Sequence, residues 1–353
     1  MIDKLRKKID SMDSEILKLL NERAKVALKI NKVKEQNKES YYSPQREKTI
    51  FEKLSKMNKG PFPNESVISI FKEIISASRS VGRPLKIAYW GPEATYTHLA
   101  AMMRFGSSVK YIPISSLSDI FIEVERKRCD YGVVPIENST EGVVNYTLDI
   151  FVDSELKICS EIMLKISHNL LSTAKSIKEI KKVYGNSQSF SQSRRWLDNN
   201  LPNIELVEVS TTAEAAKMTL KDSKGAAIAS ALAAKIYNLN ILAKGIEDIS
   251  DNFTRFLVVS MNYTKKSRKD KTSIMFSVKD KVGALHSMLV PFEKYKINLT
   301  NIESRPSRKR VWEYYFFIDF LGHIEDQNVK LALKELEKKC IFLKILGSYP
   351  VSE

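Results

Sequence analysis

The N-terminal run sets the strongest constraint on the fold. Apolar side chains fall at Ile2, Leu5, Ile9, Met12, Ile16, Leu19, Val26, Ile30 and Val33, with no glycine or proline between them. That three-and-four spacing lines one face of a helix. At 1.5 Å per residue the helix is roughly 50 Å long, and a lone helix with a bare apolar stripe does not hold its shape in water. It needs a partner surface. Ser43-Pro44 supplies an N-cap and an N1 proline for a second helix to about Met57, with Ile50, Phe51 and Leu54 inward. A turn at Gly60–Asn64 precedes a third helix carrying Val67, Ile70, Phe71, Ile74, Ile75 and Ser78, which stops near Gly82-Arg83-Pro84. A three-helix unit this thin, over residues 1–83, predicts half of an intertwined dimer.

From Lys86 strands and helices alternate. Strands are expected at Lys86–Tyr89, Tyr131–Ile136, Lys182–Tyr184 and Ala226–Ala229, and helices at Leu117–Lys127, Gln192–Asn199 and Thr212–Leu220. This is an α/β pattern with a mainly parallel sheet, in one large domain or two lobes with a cleft, over residues 84–263. The basic run Lys265–Lys271 reads as a solvated linker. Residues 271–353 then read strand, helix, strand, strand, helix, strand: Thr272–Val278, Gly283–Tyr295, Asn298–Ser304, Trp312–Phe320, Gln327–Lys339 and Ile341–Tyr349. That order is ferredoxin-like. The chain is thus expected to be multidomain: all-α, then α/β, then α+β.

Composition removes several classes. Apolar residues at 43% and charged residues at 28% describe a globular chain. No apolar run reaches the roughly 18 residues of a membrane span, and the N-terminus has no signal-peptide core. Cys129, Cys159 and Cys340 are scattered and form no metal or disulfide pattern, which fits a cytoplasmic protein. His98, His168, His286 and His323 have no ligand spacing; His286 alone is expected near a ligand, and no metal is expected. The net charge of +15 is spread along the chain without a nucleic-acid reader motif, and small anionic molecules remain open as partners.

Two cations interrupt the first helix's stripe. Arg23 falls in the series 16, 19, 23, 26, 30, and Lys34, eleven residues on, points within about 20° of it. A buried, unpartnered arginine is costly. Protein carboxylates, an anionic ligand, or snorkelling to water would each resolve this. Arg6 lies about 25 Å from Arg23 along the axis, so only an antiparallel second copy brings both to one small ligand.

The segments Leu5-Arg6-Lys7-Lys8-Ile9-Asp10, Asn21-Glu22-Arg23, Lys32-Val33-Lys34 and Arg46-Glu47 resemble the helical chorismate mutase family across nearly all of residues 1–83. The resemblance implies rearrangement of chorismate to prephenate without nucleophile, metal or cofactor. Arg23 and Arg6 of the partner subunit would bind carboxylates, Lys34 would face the ether oxygen and Glu47 the ring hydroxyl, and Arg46 and Ser78 would complete the pocket. The pattern departs at Ser43, usually acidic, and at Gly82, usually a Gln that donates to the ether oxygen. Arg79 or Arg83 are candidates to replace that donor, and Gly82 also reads as a glycine that ends the helix.

Gly91–Thr97 follows a strand and precedes a helix, where backbone N–H groups can meet an anion. Pro135–Gly142 places polar groups at a strand's C-terminal edge. Asp251–Phe256 puts Thr and Arg between aromatics. With Ser210-Thr211-Thr212-Ala213 and Ala226–Ser230, in this order, these resemble the prephenate dehydratase family over residues 86–260. The resemblance implies loss of carbon dioxide and hydroxyl from prephenate, with no cofactor. Thr254 would donate to the leaving hydroxyl, Arg255 would offer charge and Phe256 a wall. Asn138 and Ser139 would bind carboxylate or carbonyl with Glu137 orienting them, Thr211 and Thr212 would line the cleft, and Gln192 would join the site. The Tyr184–Gln192 stretch departs from the family at Gly185, Asn186 and Ser187 and keeps Gln188 and Gln192.

Lys281–His286 and Asn298–Pro306 resemble the ACT domain that senses phenylalanine, over residues 272–350. The resemblance implies an effector pocket from Gly283, Ala284, Leu285, His286, Asn298, Asn301, Glu303, Ser304, Arg305 and Pro306, closed against a second subunit. Taken together the expectation is a bifunctional enzyme of phenylalanine biosynthesis, a homodimer or larger homo-oligomer. The alternative keeps the dehydratase and makes the helices mainly a dimerisation arm. A non-catalytic small-molecule binder is the rival from another class.

Overall fold

The computed structural model describes residues 1–37, 39–278, 281–306 and 314–352. Three helices come first: α1 (Ile2–Gln36), α2 (Pro44–Met57) and α3 (Asn64–Ser80). The stripe of α1 that α3 covers is Leu20, Arg23, Ala24, Ala27, Leu28, Asn31 and Lys34. The apolar series from Ile2 to Val33 faces elsewhere, and each member is between 51% and 66% exposed. The helix therefore has two working faces, and one protomer buries only the more polar one.

The α/β region opens with β1 (Lys86–Trp90), α4 (Tyr96–Phe105), β2 (Lys110–Ile114), α5 (Leu117–Glu125), β3 (Tyr131–Asn138), β4 (Gly142–Val143), α6 (Asn145–Asp153) and β5 (Lys157–Lys165). The chain then crosses to a second lobe: β6 (Asn169–Ser172), β7 (Lys182–Gly185), α7 (Ser187–Gln192), α8 (Arg194–Asn200), β8 (Glu205–Glu208), α9 (Thr212–Thr219), β9 (Gly225–Ala229), α10 (Ala231–Tyr237) and β10 (Asn240–Lys244). It returns as β11 (Phe253–Ser260). The sheets run β2-β1-β3-β11-β5 and β10-β6-β9-β7-β8. Each lobe has a small apolar core; alanines Ala213, Ala215, Ala216, Ala227 and Ala229 let α9 lie close on the second sheet.

The expectation of a mainly parallel sheet is corrected here: both sheets are mixed. β1 pairs in parallel with β2 and β3, and β7 with β8 and β9, while β11 runs antiparallel to β3 and β5, and β6 to β9 and β10. The reason is the double crossing between lobes, which brings β11 back from the far side. The single helix expected over Gln192–Asn199 is two, α7 and α8, broken at Ser193.

The last region contains β12 (Asp270–Ser277), α11 (Ala284–Lys294), β13 (Leu299–Pro306), β14 (Tyr314–Leu321), α12 (Gln327–Glu337) and β15 (Phe342–Pro350), with sheet order β13-β14-β12-β15. Trp312, the expected start of the fourth element, lies outside the described residues. One sheet face packs on α11 and α12 through Ile274, Phe276, Ile318 and Phe320. The other joins the first lobe's core through Met275, Phe317, Leu346 and Tyr349.

Candidate active sites

The two lobes meet at the crossings between β5 and β6 and between β10 and β11, and a cavity of about 360 Å³ opens there. Strand pleating decides which side chains reach it. Successive residues of a strand point to opposite faces, so Thr254 and Phe256 of β11 line the cavity and Arg255 does not. Thr254 is paired with Asn138 of β3, and Arg255 with Glu137. Antiparallel partners share a face, so Asn138 joins Thr254 while Glu137 joins Arg255 on the far side.

Of the residues expected at the dehydratase centre, Thr254, Phe256, Asn138, Gln192, Thr211 and Thr212 line this cavity, with Gln188. Three do not, and their assigned roles are corrected. Arg255 is buried in a cluster with Glu161 (2.9 Å) and Asp319 (2.6 Å). Glu137 lies 4.0 Å from Arg255 on that side. Ser139 fastens a turn, accepting from Phe253 N (2.9 Å). Among the described residues no lysine or arginine lines the cleft. Its positive ends are helix N-termini: Thr95 caps α4 and Thr211 caps α9, their hydroxyls accepting from His98 N and Glu214 N.

One hydrogen-bond network spans the cleft floor. Asn138 Nδ2 donates to Thr254 Oγ1 (2.8 Å) and Asn252 Oδ1 (2.9 Å). Asn252 Nδ2 donates to Gln192 Oε1 (3.1 Å), which also lies 2.9 Å from His168 Nε2. His168 Nδ1 lies 2.9 Å from the Tyr96 hydroxyl. Burial pushes the His168 pKa down, only partly opposed by Gln192 and Glu247. Gln192 Oε1 is an acceptor, which calls for the His168 hydrogen on Nε2; Nδ1 and Ser167 O (2.8 Å) then share the single Tyr96 hydrogen. Neither the place of His168 nor that of Tyr96 or Asn252 follows from spacing. His168 sits on the β5–β6 crossing, which only the tertiary pairing creates, whereas His286 is exposed on α11.

In the helical region Arg23 of α1 meets Ser78 of α3, and about 16 Å further along α1 Lys34 lies within the electrostatic reach of Glu47 of α2. Arg23 Nη1 donates to Ser78 Oγ, and Lys34 Nζ to Tyr41 O (3.2 Å). Burial lowers the pKa of both cations; for Lys34, Glu39 works in the opposite direction. Ser43 precedes α2 without a side-chain cap bond, and Arg46 is exposed. Arg6 sits far along α1, 3.7 Å from Asp3. Glu47 is held by Arg79 at 2.6 Å, and Arg79 also donates to Phe105 O (3.1 Å) of α4. Arg83 pairs with Asp130 (2.9 Å). Arg79 is thus shared between Glu47 of the helical domain and Phe105 of the dehydratase side, and Arg83 is paired on the dehydratase side, so both candidate replacement donors are already engaged. Gly82 has φ +94° just past α3, a helix-ending conformation that glycine tolerates.

In the last region Gly283 (φ +74°) starts α11 and Asn298 follows its end. Eleven helical residues separate them, roughly 16 Å, so one protomer cannot bring both to one small ligand. Ala284 is buried, Leu285 is half-buried, and His286, Ser304 and Pro306 are exposed. Arg305 is corrected to an interdomain role: it pairs with Asp149 of α6 at 3.1 Å. Asn301 and Glu303 also face the first lobe, lining a small void with Glu137. Burial, and then the Glu137 carboxylate, raise the pKa of Glu303.

Among the described residues no helix is long and apolar enough to cross a membrane, and no group of three metal-ligating side chains occurs. A three-helix unit with half-buried cations, a two-lobed cleft with a placed hydroxyl and a ferredoxin-like module describe a multidomain enzyme for small anionic substrates. Comparison with known proteins agrees, domain by domain: residues 5–83 match chorismate mutase type II, 87–264 prephenate dehydratase and 272–338 the ACT domain. A bifunctional chorismate mutase/prephenate dehydratase of Aquifex aeolicus (strain VF5) is 51% identical, covering 99% of this chain and 98% of the relative. That of Pseudomonas aeruginosa is 43% identical, covering 98% and 96%. A crystal structure of prephenate dehydratase in complex with L-Phe from Arthrobacter aurescens superposes with a TM-score of 0.70 at 34% identity, covering 76% of this chain and 90% of that one. The chain belongs to the bifunctional chorismate mutase/prephenate dehydratase family.

Proposed function

We propose that each chain rearranges chorismate to prephenate in a helical site completed by a second copy, and converts prephenate to phenylpyruvate in its own two-lobed cleft. In the first step Arg23 and Arg6 of the partner subunit hold the two carboxylates. Lys34 meets charge developing on the ether oxygen, so the transition state is bound better than the ground state. The bare apolar stripe of α1 supports this arrangement, because an antiparallel copy would cover it and deliver Arg6.

In the second step prephenate enters between α4 and α9, whose N-termini receive its carboxylates. Phe256, Pro135 and Ile166 keep water from the ring. Thr254 donates a proton to the departing hydroxide, the ring carboxylate leaves as carbon dioxide, and solvent reprotonates Thr254. Aromatisation drives the reaction. The single observation that carries this reading is the Asn138–Thr254 bond: Thr254 Oγ1 accepts there, which leaves its hydrogen for a substrate in the cavity that Thr254 lines. Phenylalanine binds where the start of α11 from one chain meets Asn298 of another; the L-Phe complex of the Arthrobacter relative supports the choice of ligand.

One coupled assay tests the scheme: chorismate in, phenylpyruvate and carbon dioxide out, with phenylalanine titrated. Thr254→Val is expected to abolish phenylpyruvate while chorismate is still consumed. Unchanged turnover by that variant refutes the assignment. The second reading, helices as a dimerisation arm, draws on the Arg79 grip on Glu47; prephenate formation at only the uncatalysed rate would establish it.

A further inference from the structure

Asn252 sits where the chain crosses back from the second lobe into β11. Its carbonyl accepts from Ile166 N (2.8 Å), and the residue is 1% exposed. It does not line the cleft. Its side chain touches Asn138 and Gln192, which do.

The sense of these contacts is fixed from one end. Asn138 Oδ1 accepts from Thr140 N and Glu141 N (3.0 Å each), so Asn138 Nδ2 donates, and Asn252 Oδ1 accepts from it (2.9 Å). Asn252 Nδ2 is then a donor, and Gln192 Oε1 accepts from it (3.1 Å). Gln192 Nε2 in turn donates to Thr140 Oγ1 (3.2 Å), whose hydroxyl donates back to Asn138 Oδ1 (2.7 Å). The ring runs head to tail, and each amide in it has one orientation. The second hydrogen of Gln192 Nε2 has, among the described residues, only the exposed Glu141 carboxylate at 3.5 Å, the limit of a hydrogen bond.

With no lysine or arginine lining the cleft among the described residues, neutral donors have to hold an anionic substrate. A Gln192 hydrogen aimed inward attracts such a substrate, and a Gln192 oxygen aimed inward repels it. The Gln192 side chain has nearly the same shape either way up, so its neighbours decide. His168 can serve either way, by moving its own hydrogen between the ring nitrogens.

We infer that Asn252 is a positioning residue of the dehydratase, acting through Gln192: it holds the Gln192 oxygen away from the cleft and so turns an N–H toward the substrate. This inference rests on the reading of the cleft as the prephenate site. His168 carries its signature. The Gln192 oxygen, 2.9 Å away, calls for hydrogen on Nε2, whereas Tyr96, which donates to Ser167 O (2.8 Å), is best met by hydrogen on Nδ1. Asn252 settles that contest in favour of Nε2.

Prephenate kinetics on the full-length chain test this, with denaturant unfolding as the check on the fold. Asn252→Leu is close in size and adds no charge. It is expected to raise KM about tenfold or more, the scale of a lost hydrogen bond to a charged group. Its kcat is expected to stay within threefold, because Asn138 keeps its backbone partners and its bond to Thr254. Gln192→Met is expected to raise KM likewise, and Asn252→Leu added to it to cost little more. In ¹⁵N spectra of histidine-labelled protein the parent is expected to show His168 hydrogen on Nε2, and Asn252→Leu a shift toward Nδ1. Asn252→Asp keeps the shape and the bond from Asn138 but offers Gln192 only acceptors, so Gln192 turns over and the His168 hydrogen moves to Nδ1. Its own charge repels substrate, so the tautomer is its readout, and it stands in should Asn252→Leu fail to fold. The inference is overturned if Asn252→Leu keeps KM within twofold of the parent, if its effect adds in full to that of Gln192→Met, or if Asn252→Asp leaves the His168 hydrogen on Nε2. A dead Thr254→Val beside an Asn252→Leu of parental KM removes this inference alone. An active Thr254→Val removes the reading beneath it, whatever Asn252→Leu does.

Discussion

Asn138 Nδ2 donates to Thr254 Oγ1 at 2.8 Å, and the rest of the amide fixes that direction. Asn138 Oδ1 accepts from Thr140 N and Glu141 N, each at 3.0 Å, so turning the amide over would set N–H against N–H. Thr254 is therefore an acceptor toward Asn138 and keeps its hydrogen for the substrate. Asn138→Asp reverses this: the carboxylate accepts, and the Thr254 hydrogen turns away from the cleft. The expected result is a roughly 10²-fold fall in kcat for prephenate, the scale of a lost transition-state donor, with chorismate consumption unaltered. Phenylpyruvate formation at saturating prephenate checks it.

His168 gives the dehydratase a definite pH behaviour. Burial depresses its pKa below the ordinary 6.5, so the folded protein holds it neutral where the unfolded chain begins to bind a proton. In the window from 6.5 down to the depressed value the unfolded state binds more protons, and stability falls as pH drops. Above that window its contribution is constant. Denaturant unfolding between pH 7.5 and 5 is expected to show this acid-side loss, and His168→Gln to flatten it. Protonation turns Nδ1 into a donor that the Tyr96 hydroxyl can accept while it donates to Ser167 O (2.8 Å), so the hydrogen bonds survive and the cost of the charged form is burial.

The order of elements was readable because each rests on local physics: helix spacing in α1, the Ser43-Pro44 start of α2, the glycine stop at Gly82, the alternating texture after Lys86. What local reading missed came from long-range pairing. Thr254 and Arg255 are neighbours between two aromatics, and with no pairing known both can be assigned to one ligand. Once β11 pairs with β3 and β5 the pleat sends them apart, and Glu137 follows Arg255 for the same reason. His168 carries no local signal, because the crossing that makes it central depends on how two separate sheets are filled. Arg305 has the residue type and edge position expected of a ligand-binding cation, yet Asp149 of α6, far away in sequence, claims it.

Gly82 stands where related mutases usually carry a glutamine, and restoring that residue is expected to fail. Its φ of +94° is a region that side chains with a Cβ avoid, and the added Cβ would meet Leu28 Cδ2 at 3.3 Å. The left-handed penalty alone is about 1–2 kcal/mol. Gly82→Gln is expected to destabilise the helical domain by about that amount in chemical denaturation without raising chorismate turnover. A gain in turnover would show that α3 can extend by half a turn and that the departure was a simple loss.

The exposed stripe of α1 separates the two activities by their dependence on protein concentration. Leu19 is 57% exposed in one chain, and burying a leucine is worth roughly 1.5–3 kcal/mol. A symmetric pair buries it twice, so Leu19→Glu is expected to weaken association by at least 3 kcal/mol, more than 100-fold at about 1.4 kcal/mol per decade. Sedimentation should show dissociation as the protein is diluted. Chorismate turnover should fall with it, because Arg6 and Arg23 then no longer meet, and should recover at high protein concentration. Prephenate turnover per chain is expected to hold steady throughout, since the cavity opens between the two lobes of one chain, away from the α1 stripe. Mixing Arg6→Ala with Arg23→Ala chains presses the same point from the other side. Each variant alone lacks one carboxylate anchor at both helical sites, whereas a mixed dimer has one site with both arginines and one with neither. Random pairing makes half of the dimers mixed, so about a quarter of the parental mutase activity is expected to return. A mixture no more active than its components would mean that the two arginines do not serve one pocket.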